Sequence, residues 1–189
     1  MQPRRLGLFG GTFDPPHNGH VAALHALWRT GRYEEILVTV AGDPYEKSAT
    51  RSLSPAPLRL EMAHAAFDGL DGVRVSGREI RRSGETYTVD TVRELLQEGW
   101  TVELLVGADT ALGLAQWHDA TELANLVTVG VVPRDGVEVN LGPAWRAAVV
   151  PMAPYDLSST FIRQEQAAGH EISMYLPPGV IALYQQGQG

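Results

Sequence analysis

The sequence predicts an α/β fold of the doubly wound kind, with a mainly parallel sheet and helices on both of its faces. Short runs rich in β-branched residues alternate with stretches whose apolar residues recur at helical spacing, which is the pattern of repeated strand–helix units. The chain has 189 residues, of which 44% are hydrophobic and 20% charged, as in one globular domain. No linker or internal repeat interrupts the sequence, so we expect a single domain over residues 1–189.

The first half of the chain contains three predicted strands, at residues 5–9, 36–40 and 73–76. The first predicted helix, 18–30, carries Val21, Leu24 and Leu27 at helical spacing. A second follows at 58–67, where Pro57 suits the beginning of a helix. A third is expected at 88–97, and Gly99 suits the position just beyond its end.

The second half repeats this alternation. We expect strands at 102–106, 126–132 and 147–152, short helical pieces at 110–114 and 121–124, and a loop at 133–143. Ser158 or Ser159 is expected to cap a helix that reaches about residue 168, and Pro178 begins a last helix through residue 186. The glycine- and glutamine-rich end, residues 185–189, is expected to fray.

Composition excludes several classes of function. The chain has no cysteine, which rules out disulfides, thiolate metal sites and a cysteine nucleophile, and favours a reducing cytoplasm. A net charge of −7 argues against nucleic acid as a partner. The apolar run near the N-terminus is far shorter than the ~20 residues that a membrane span needs.

One local cluster is basic. Arg74, Arg78, Arg81 and Arg82 lie close together in the sequence. They predict either a solvated strand edge and loop or a short arginine-bearing loop over a phosphorylated substrate.

The strongest motif runs from Gly10 to His20, directly after the first strand, and reads GGTFDPPHNGH. Ligands of open α/β sheets bind beyond the carboxyl ends of the strands. Two glycines allow the backbone to approach a phosphate, and the following helix points its free N–H groups at that anion. His17 and His20 are three residues apart, so both rings are expected to face one cleft.

The two histidines and the glycine turn also have other interpretations. Two histidines at this spacing sometimes bind a metal, but the sequence has neither a His-Glu-x-x-His pattern nor a thiolate. They are also compatible with surface or capping residues. The G-x-G-x-x-G fingerprint and the lysine-bearing P-loop are both absent. A glycine turn, an acid and paired histidines within eleven residues favour a nucleotide phosphate site.

This motif resembles the G-G-T-F-D-P-x-H-x-G-H signature of the nucleotidylyltransferase superfamily, in its bacterial nicotinate mononucleotide adenylyltransferase form. Further segments resemble that family in the same order, so the similarity covers nearly the whole chain. They are Tyr87-Thr88 with Thr91, Gly107-Ala108-Asp109 with Trp117, Ser158-Ser159-Thr160 with Ile162-Arg163, and Tyr175-Leu176-Pro177 with Val180. The resemblance implies a Rossmann-like domain.

It also implies transfer of the adenylyl group of ATP to nicotinate mononucleotide, giving deamido-NAD and pyrophosphate, with Mg²⁺ bound to the ATP phosphates. His17, His20 and Arg163 would be catalytic, the histidines acting as imidazolium or as N–H donors. A plain serine cap with an exposed arginine is the alternative for the last segment. The residues expected to bind ATP are Gly10, Gly11, Thr12, Phe13, Gly19, Gly107, Asp109, Ser158, Ser159 and Thr160.

For the acceptor, the resemblance implies contacts from Asp14, Lys47, Thr86, Tyr87, Trp117 and Arg134. Thr86 and Tyr87 would offer backbone N–H groups to the nicotinate carboxylate, and Trp117 would stack on the pyridine ring, unless it is a core residue. Asp14 would orient a histidine or a hydrated Mg²⁺, or cap the turn.

Two assignments have structural alternatives. Asp109 would accept a hydrogen bond from a ribose hydroxyl, cap the next helix, or do both. Lys47 would reach a substrate phosphate or be solvated. The family commonly has Pro-His-Lys where this chain has Pro44-Tyr45-Glu46-Lys47, and Arg-Pro-Gly where it has Arg134-Asp135-Gly136.

These departures leave other functions open. An adenylyltransferase for nicotinamide mononucleotide or phosphopantetheine is one alternative, and a catalytically silent nucleotide-binding regulator is another. His25, His64, His118 and His170 have no motif context, and we expect most of them to be surface or structural residues. Assembly into a homo-oligomer is left open.

Overall fold

The computed structural model describes residues 4–42, 53–82, 84–153 and 155–187. Within them six strands form one sheet in the order β3-β2-β1-β4-β5-β6. Each neighbouring pair is parallel, which confirms the predicted sheet. The strands are β1 (Arg5–Gly11), β2 (Glu35–Val40), β3 (Val73–Ser76), β4 (Thr101–Gly107), β5 (Thr128–Val132) and β6 (Ala147–Val149).

Seven α-helices are present in the described part of the chain, and they follow the predicted alternation. Short 3₁₀ turns lie at Leu114–Gln116 and Ser173–Tyr175. The helices are α1 (Asn18–Arg29), α2 (Ala56–Phe67), α3 (Thr88–Gln97), α4 (Ala108–Ala111), α5 (Ala120–Leu126), α6 (Ser159–Ala167) and α7 (Pro178–Gln186). No helix among them is long and apolar enough to span a bilayer.

The observed boundaries depart from the predicted ones most clearly at three elements. Helix α4 begins at Ala108 rather than at residue 110, because Gly107 is its N-cap. Leu126 ends helix α5 instead of beginning a strand. Strand β6 ends at Val149 and not at 152, because Val149 pairs with Val131 and β5 ends one residue later. The last helix includes residues 185 and 186, whereas 188 and 189, where fraying was also expected, lie outside the described residues.

Two apolar clusters cover the two faces of the sheet. One joins α1, α2, α6 and α7 to the sheet, through residues such as Leu24, Met62 and Tyr184. The other joins α3, α4 and α5 to the opposite face, through residues such as Val92 and Leu123. The predicted helices on both faces are therefore confirmed.

The strand order reverses between β1 and β4. At such a switch point the helices that follow the two strands lie on opposite faces, and a crevice opens beyond the carboxyl ends of the strands. Phe9 of β1 is in register with Leu105 of β4. The residues that follow, Gly10-Gly11 on one strand and Gly107 on the other, are thus neighbours at the mouth of this crevice.

Candidate functional site

A cleft of about 1180 Å³ lies at this switch point. Its volume is at the upper end of small-molecule sites, so it offers room for more than one compact ligand. It brings together every site residue predicted from the sequence except Lys47, which lies outside the described residues. The predicted residues in its lining are Gly10, Gly11, Thr12, Phe13, Asp14, His17, Gly19, His20, Thr86, Tyr87, Gly107, Asp109, Trp117, Arg134, Ser158, Ser159, Thr160 and Arg163.

The glycine turn is built around Phe13. Its backbone has φ = +50°, in the left-handed region, and its ring packs against Phe67 and His20 with centroids 5.4 and 5.1 Å away. The ring also lies over Gly11, where a Cβ atom would be 2.7 Å from it. Glycine is required there because any side chain would clash. The Phe13 side chain is buried, so only its backbone is available to a ligand.

His17 and His20 form a stacked pair at the beginning of α1. Their ring centroids are 3.6 Å apart and their planes differ by 21°, as expected from their spacing. The backbone N–H of His17, the N-cap of α1, donates to Nδ1 of His20 at 3.2 Å. An accepting Nδ1 carries no proton, so the neutral His20 ring holds its proton on Nε2.

His17 is neutral at physiological pH. Only 4% of the residue is exposed, and burial, together with the nearby Arg134 guanidinium, lowers the pKa of His17 from 6.5 to about 4. Two charged imidazoles stacked at 3.6 Å would also repel each other. Of the two roles predicted from the sequence, the ligand-free site therefore favours a neutral N–H donor over an imidazolium.

Helix α6 begins beside the same turn. Ser158 is its N-cap and accepts a hydrogen bond from the Phe161 N–H at 3.1 Å. Ser159 Oγ donates to the Pro15 carbonyl at 2.9 Å. One turn later Arg163 donates to the Asp14 carbonyl at 2.8 Å. The serine–arginine segment is thus both a serine cap and a fixed part of the cleft, attached to the loop that carries the histidines.

On the β4 side, Asp109 is the second residue of α4 and forms an ion pair with Arg134. Because Gly107 is the N-cap, the capping role considered for Asp109 was wrong. Arg134 also reaches Asp156 at 3.2 Å. The guanidinium therefore connects the end of β4 to the segment that leads into α6.

Aromatic side chains line the cleft on the side of α3. Tyr87 is the N-cap of α3 and lies just after the buried Thr86. The Tyr87 ring stacks on His118, with centroids 3.9 Å apart and planes 19° from parallel. Trp117 is half-buried, packs against the cluster on this face and lines the cleft. His118 was among the histidines of which most were expected to be surface or structural residues; it is exposed, and no motif predicted its stacking on Tyr87.

Three arginines of the basic cluster form ion pairs, Arg74 at the surface and the partly buried Arg78 and Arg82. Arg74 pairs with Glu35 at 2.6 Å. Arg78 pairs with Glu94 and Glu98, and Arg82 also pairs with Glu94. None of these arginines, nor Arg81, lines the cleft. Of the two predictions for this cluster, the solvated strand edge and loop is the one that the structure supports.

Two buried ionisable residues, one lining the cleft and one beneath the glycine turn, were not predicted from the sequence. Glu79 lines the cleft with only 8% of the residue exposed, accepts a hydrogen bond from Thr91 at 2.8 Å, and has a pKa raised by burial. Arg59 lies beneath the glycine turn. Neither is part of a motif, but Arg59 shares the helical spacing of Met62, Ala63 and Ala66, which placed it on a buried stripe.

Two comparisons bear on this site. The family model described as cytidylyltransferase-like matches residues 8–165. A probable nicotinate-nucleotide adenylyltransferase of Methylibium petroleiphilum is 38% identical over 96% of this chain and 89% of its own. One of the same name from Synechococcus sp. is 37% identical over 95% of this chain and 91% of its own.

The fold has relatives among solved structures. A nicotinic acid mononucleotide adenylyltransferase of Plasmodium falciparum, in complex with NaAD, has a TM-score of 0.79 at 17% identity, and the match covers 97% of this chain and 95% of that one. The same enzyme complexed with APC has a TM-score of 0.77. At this identity the likeness establishes the fold alone.

Proposed function

The chain belongs to the cytidylyltransferase-like family and, within it, to the nicotinate-nucleotide adenylyltransferases, and we propose that it transfers the adenylyl group of ATP to nicotinate mononucleotide. A 5′-phosphate oxygen of the mononucleotide attacks the α-phosphorus of ATP. The bond from that phosphorus to the bridging oxygen of the β-phosphate breaks, and pyrophosphate leaves. The products are deamido-NAD and pyrophosphate.

One observation carries this proposal. The stacked His17–His20 pair lies at the end of the loop that follows β1 at the switch point. Hydrogen bonds from Ser159 and Arg163 attach the N-terminal end of α6 to that same loop. Both reactants are anions, and phosphoryl-type transfers depend mainly on positioning and on stabilising charge. Two imidazole N–H donors on one side and a helix N-terminus with Arg163 on the other provide both.

We assign the groups as follows. His17 and His20 donate N–H bonds to the oxygens of the α-phosphate and of the leaving pyrophosphate, where charge increases in the transition state. Free N–H groups at the start of α6, the hydroxyls of Ser158 and Thr160 and the Arg163 guanidinium hold the β- and γ-phosphates. Asp109 accepts from a ribose hydroxyl once its pairing with Arg134 has rearranged.

The acceptor lies toward α3. The backbone N–H groups of Thr86 and Tyr87 bind the nicotinate carboxylate, and Trp117 stacks on the pyridine ring. An amide has one NH₂ group in place of a carboxylate oxygen and cannot accept both bonds, so this contact selects the acid over the amide. Lys47, which lies outside the described residues, and Arg134 are proposed to bind the phosphate of the mononucleotide.

Mg²⁺ would supply charge neutralisation on the ATP phosphates. Magnesium keeps several waters and needs few protein ligands. The described residues contain no cluster of three potential ligands, but the buried Asp14 lines the cleft beside the histidines. One carboxylate and phosphate oxygens fit this mode of binding, and Asp14 would hold the ion through a water molecule.

We further propose that residues 1–189 form one cytoplasmic domain.

Release of pyrophosphate tests the function. The purified protein is given ATP and Mg²⁺ with nicotinate mononucleotide, nicotinamide mononucleotide or phosphopantetheine, and pyrophosphate is measured by a coupled assay. We expect turnover with the nicotinate form and much less with the nicotinamide form. Turnover only with phosphopantetheine would contradict the acceptor assignment. No turnover with any of the three would favour the nucleotide-binding regulator.

His17→Ala tests the site. Loss of one preorganised donor costs about 10²–10³ in rate, so kcat should fall by that factor. His25 provides a matched control, because it lies on the same helix but is exposed and outside the cleft. His25→Ala should retain full activity. If His17→Ala were equally active, the role assigned to this imidazole would be wrong.

A further inference from the structure

Arg59 is a buried arginine beneath the glycine turn. It lies on α2 with 1% of the residue exposed, in line with Met62, Ala63 and Ala66 on the stripe that faces the core. Arginine is almost never fully buried unless its donors are satisfied, since a desolvated charge is costly. We therefore expect the donors of Arg59 to be bound to acceptors inside the protein.

The guanidinium binds four backbone carbonyls. Nε donates to Ser54 at 3.0 Å, at the beginning of α2. Nη1 donates to Thr12 at 3.0 Å and to Ala41 at 2.7 Å, and Nη2 donates to Gly42 at 2.9 Å. The carbonyls belong to three separate segments: the glycine turn, the end of β2 and the entry to α2. Arg59 therefore fixes two of the loops at the carboxyl edge of the sheet relative to each other.

The bond to Thr12 also sets the orientation of the next N–H group. In a trans peptide the C=O and N–H point in opposite directions. With the Thr12 carbonyl held against Arg59, the N–H of Phe13 points away from α2. Within the described residues this N–H makes no hydrogen bond, and Phe13 lines the cleft. An unused donor of this kind is suited to a phosphate oxygen.

The backbone conformation of Phe13 is strained. Its φ of +50° lies in a region that is unfavourable for a residue with a Cβ atom. Rotating the Thr12–Phe13 peptide to relieve the strain would break the bond to Arg59. The buried guanidinium and the packing of the Phe13 ring on Phe67 together maintain the strained conformation.

We propose that Arg59 is a positioning residue for adenylyl transfer, which presents the Phe13 N–H to a phosphate of ATP without touching the substrate itself. This inference rests on the proposed function, because the reaction that Arg59 would support is adenylyl transfer. Its structural content, the orientation of one peptide, can be measured without turnover. The two can therefore fail independently.

Arg59→Lys is the test variant and Met62→Ala is its matched control. Lysine keeps the charge but concentrates its donors on one atom, so it cannot bind carbonyls of three segments at once. Met62 is equally buried on the same helix and contacts no cleft residue through hydrogen bonds, so its truncation loosens the core alone. Both variants are assayed at a temperature at which circular dichroism shows them folded. A misplaced site commonly loses about 10²-fold in rate, so we expect a loss of that order in kcat for Arg59→Lys and less than twofold for Met62→Ala.

A spectroscopic readout follows the peptide directly. The chain has four phenylalanines, so ¹⁵N-phenylalanine labelling gives only four amide signals. Addition of α,β-methylene ATP should shift the Phe13 amide in the wild-type protein and in Met62→Ala, but not in Arg59→Lys. Equal kcat in the two variants would overturn the proposal, and so would a Phe13 amide signal that moves on ligand addition in Arg59→Lys as far as it does in the wild-type protein.

Arg59→Gln is the second variant if the lysine variant does not fold. It keeps two amide donors and leaves no charge in the core, and the same two measurements apply to it. If wild-type protein shows the Phe13 shift but no turnover with any acceptor, the proposed function fails and the role of Arg59 in orienting the peptide stands.

Discussion

The buried, neutral His17 should make the stability of the protein depend on pH in a specific way. Its pKa is about 4 in the folded protein, below the ordinary 6.5 that it regains on unfolding. Between these values the unfolded chain binds more protons than the folded one. The stability that neutral His17 contributes is therefore complete above about pH 6.5 and is lost as the pH falls toward 4.

The size of the effect follows from the two pKa values. A gap from 6.5 to about 4 corresponds to about 3 kcal/mol in the free energy of unfolding. About 2 kcal/mol of this is lost between pH 7.5 and pH 5. His17→Gln removes the titrating ring but keeps a polar side chain, so this part of the pH dependence should disappear in the variant.

Urea unfolding, followed by tryptophan fluorescence at pH 7.5 and pH 5, measures the difference. Wild-type protein should lose about 2 kcal/mol more than His17→Gln between the two pH values. The other five histidines are the same in both proteins, so the comparison isolates the effect of His17. Losses that agree within about 0.5 kcal/mol, with a normal His17 titration by NMR, would refute the reasoning.

Three further predictions concern single contacts. Ser158→Ala removes the cap of α6 and its bond from Phe161, and should lower the free energy of unfolding by about 1 kcal/mol in urea titrations. Thr91→Val removes a buried donor to Glu79 and should cost about 1–3 kcal/mol by the same measurement. Trp117→Ala should raise KM for nicotinate mononucleotide about tenfold in steady-state assays, whereas Trp117→Phe should retain most of the affinity; equal KM values would remove the stacking role.

Local signals in the sequence predicted most of the fold and the centre of the site. The alternation of strand and helix patterns depends on nearby residues, and it located all six strands. Ser158 as an N-cap and Gly99, with φ = +86°, just past the end of α3 are also short-range features. The spacing of His17 and His20 fixed their proximity, because a helix places residues three apart on one face.

Contacts between distant segments could not be predicted in this way. The pairing of Asp109 with Arg134 joins residues 25 apart in the chain, and it depends on how two loops meet over the sheet edge. Arg59 did carry a signal, because it occupies the buried spacing of α2. A charged residue on an apolar stripe interrupts the hydrophobic pattern, so it was not predicted to be buried. Its position in fact indicated a guanidinium bound to backbone carbonyls.

Burial of His17 also explains how an acidic protein can hold two anionic substrates. A stacked pair of imidazolium rings would repel each other and would need to be solvated, whereas neutral rings can be packed against the core. Neutral N–H donors and a helix N-terminus are available before the ligand arrives and need no reorganisation. The same burial makes His17 sensitive to a nearby charge, because Coulomb interactions are strong where water is excluded. A triphosphate entering the cleft should therefore raise the pKa of His17.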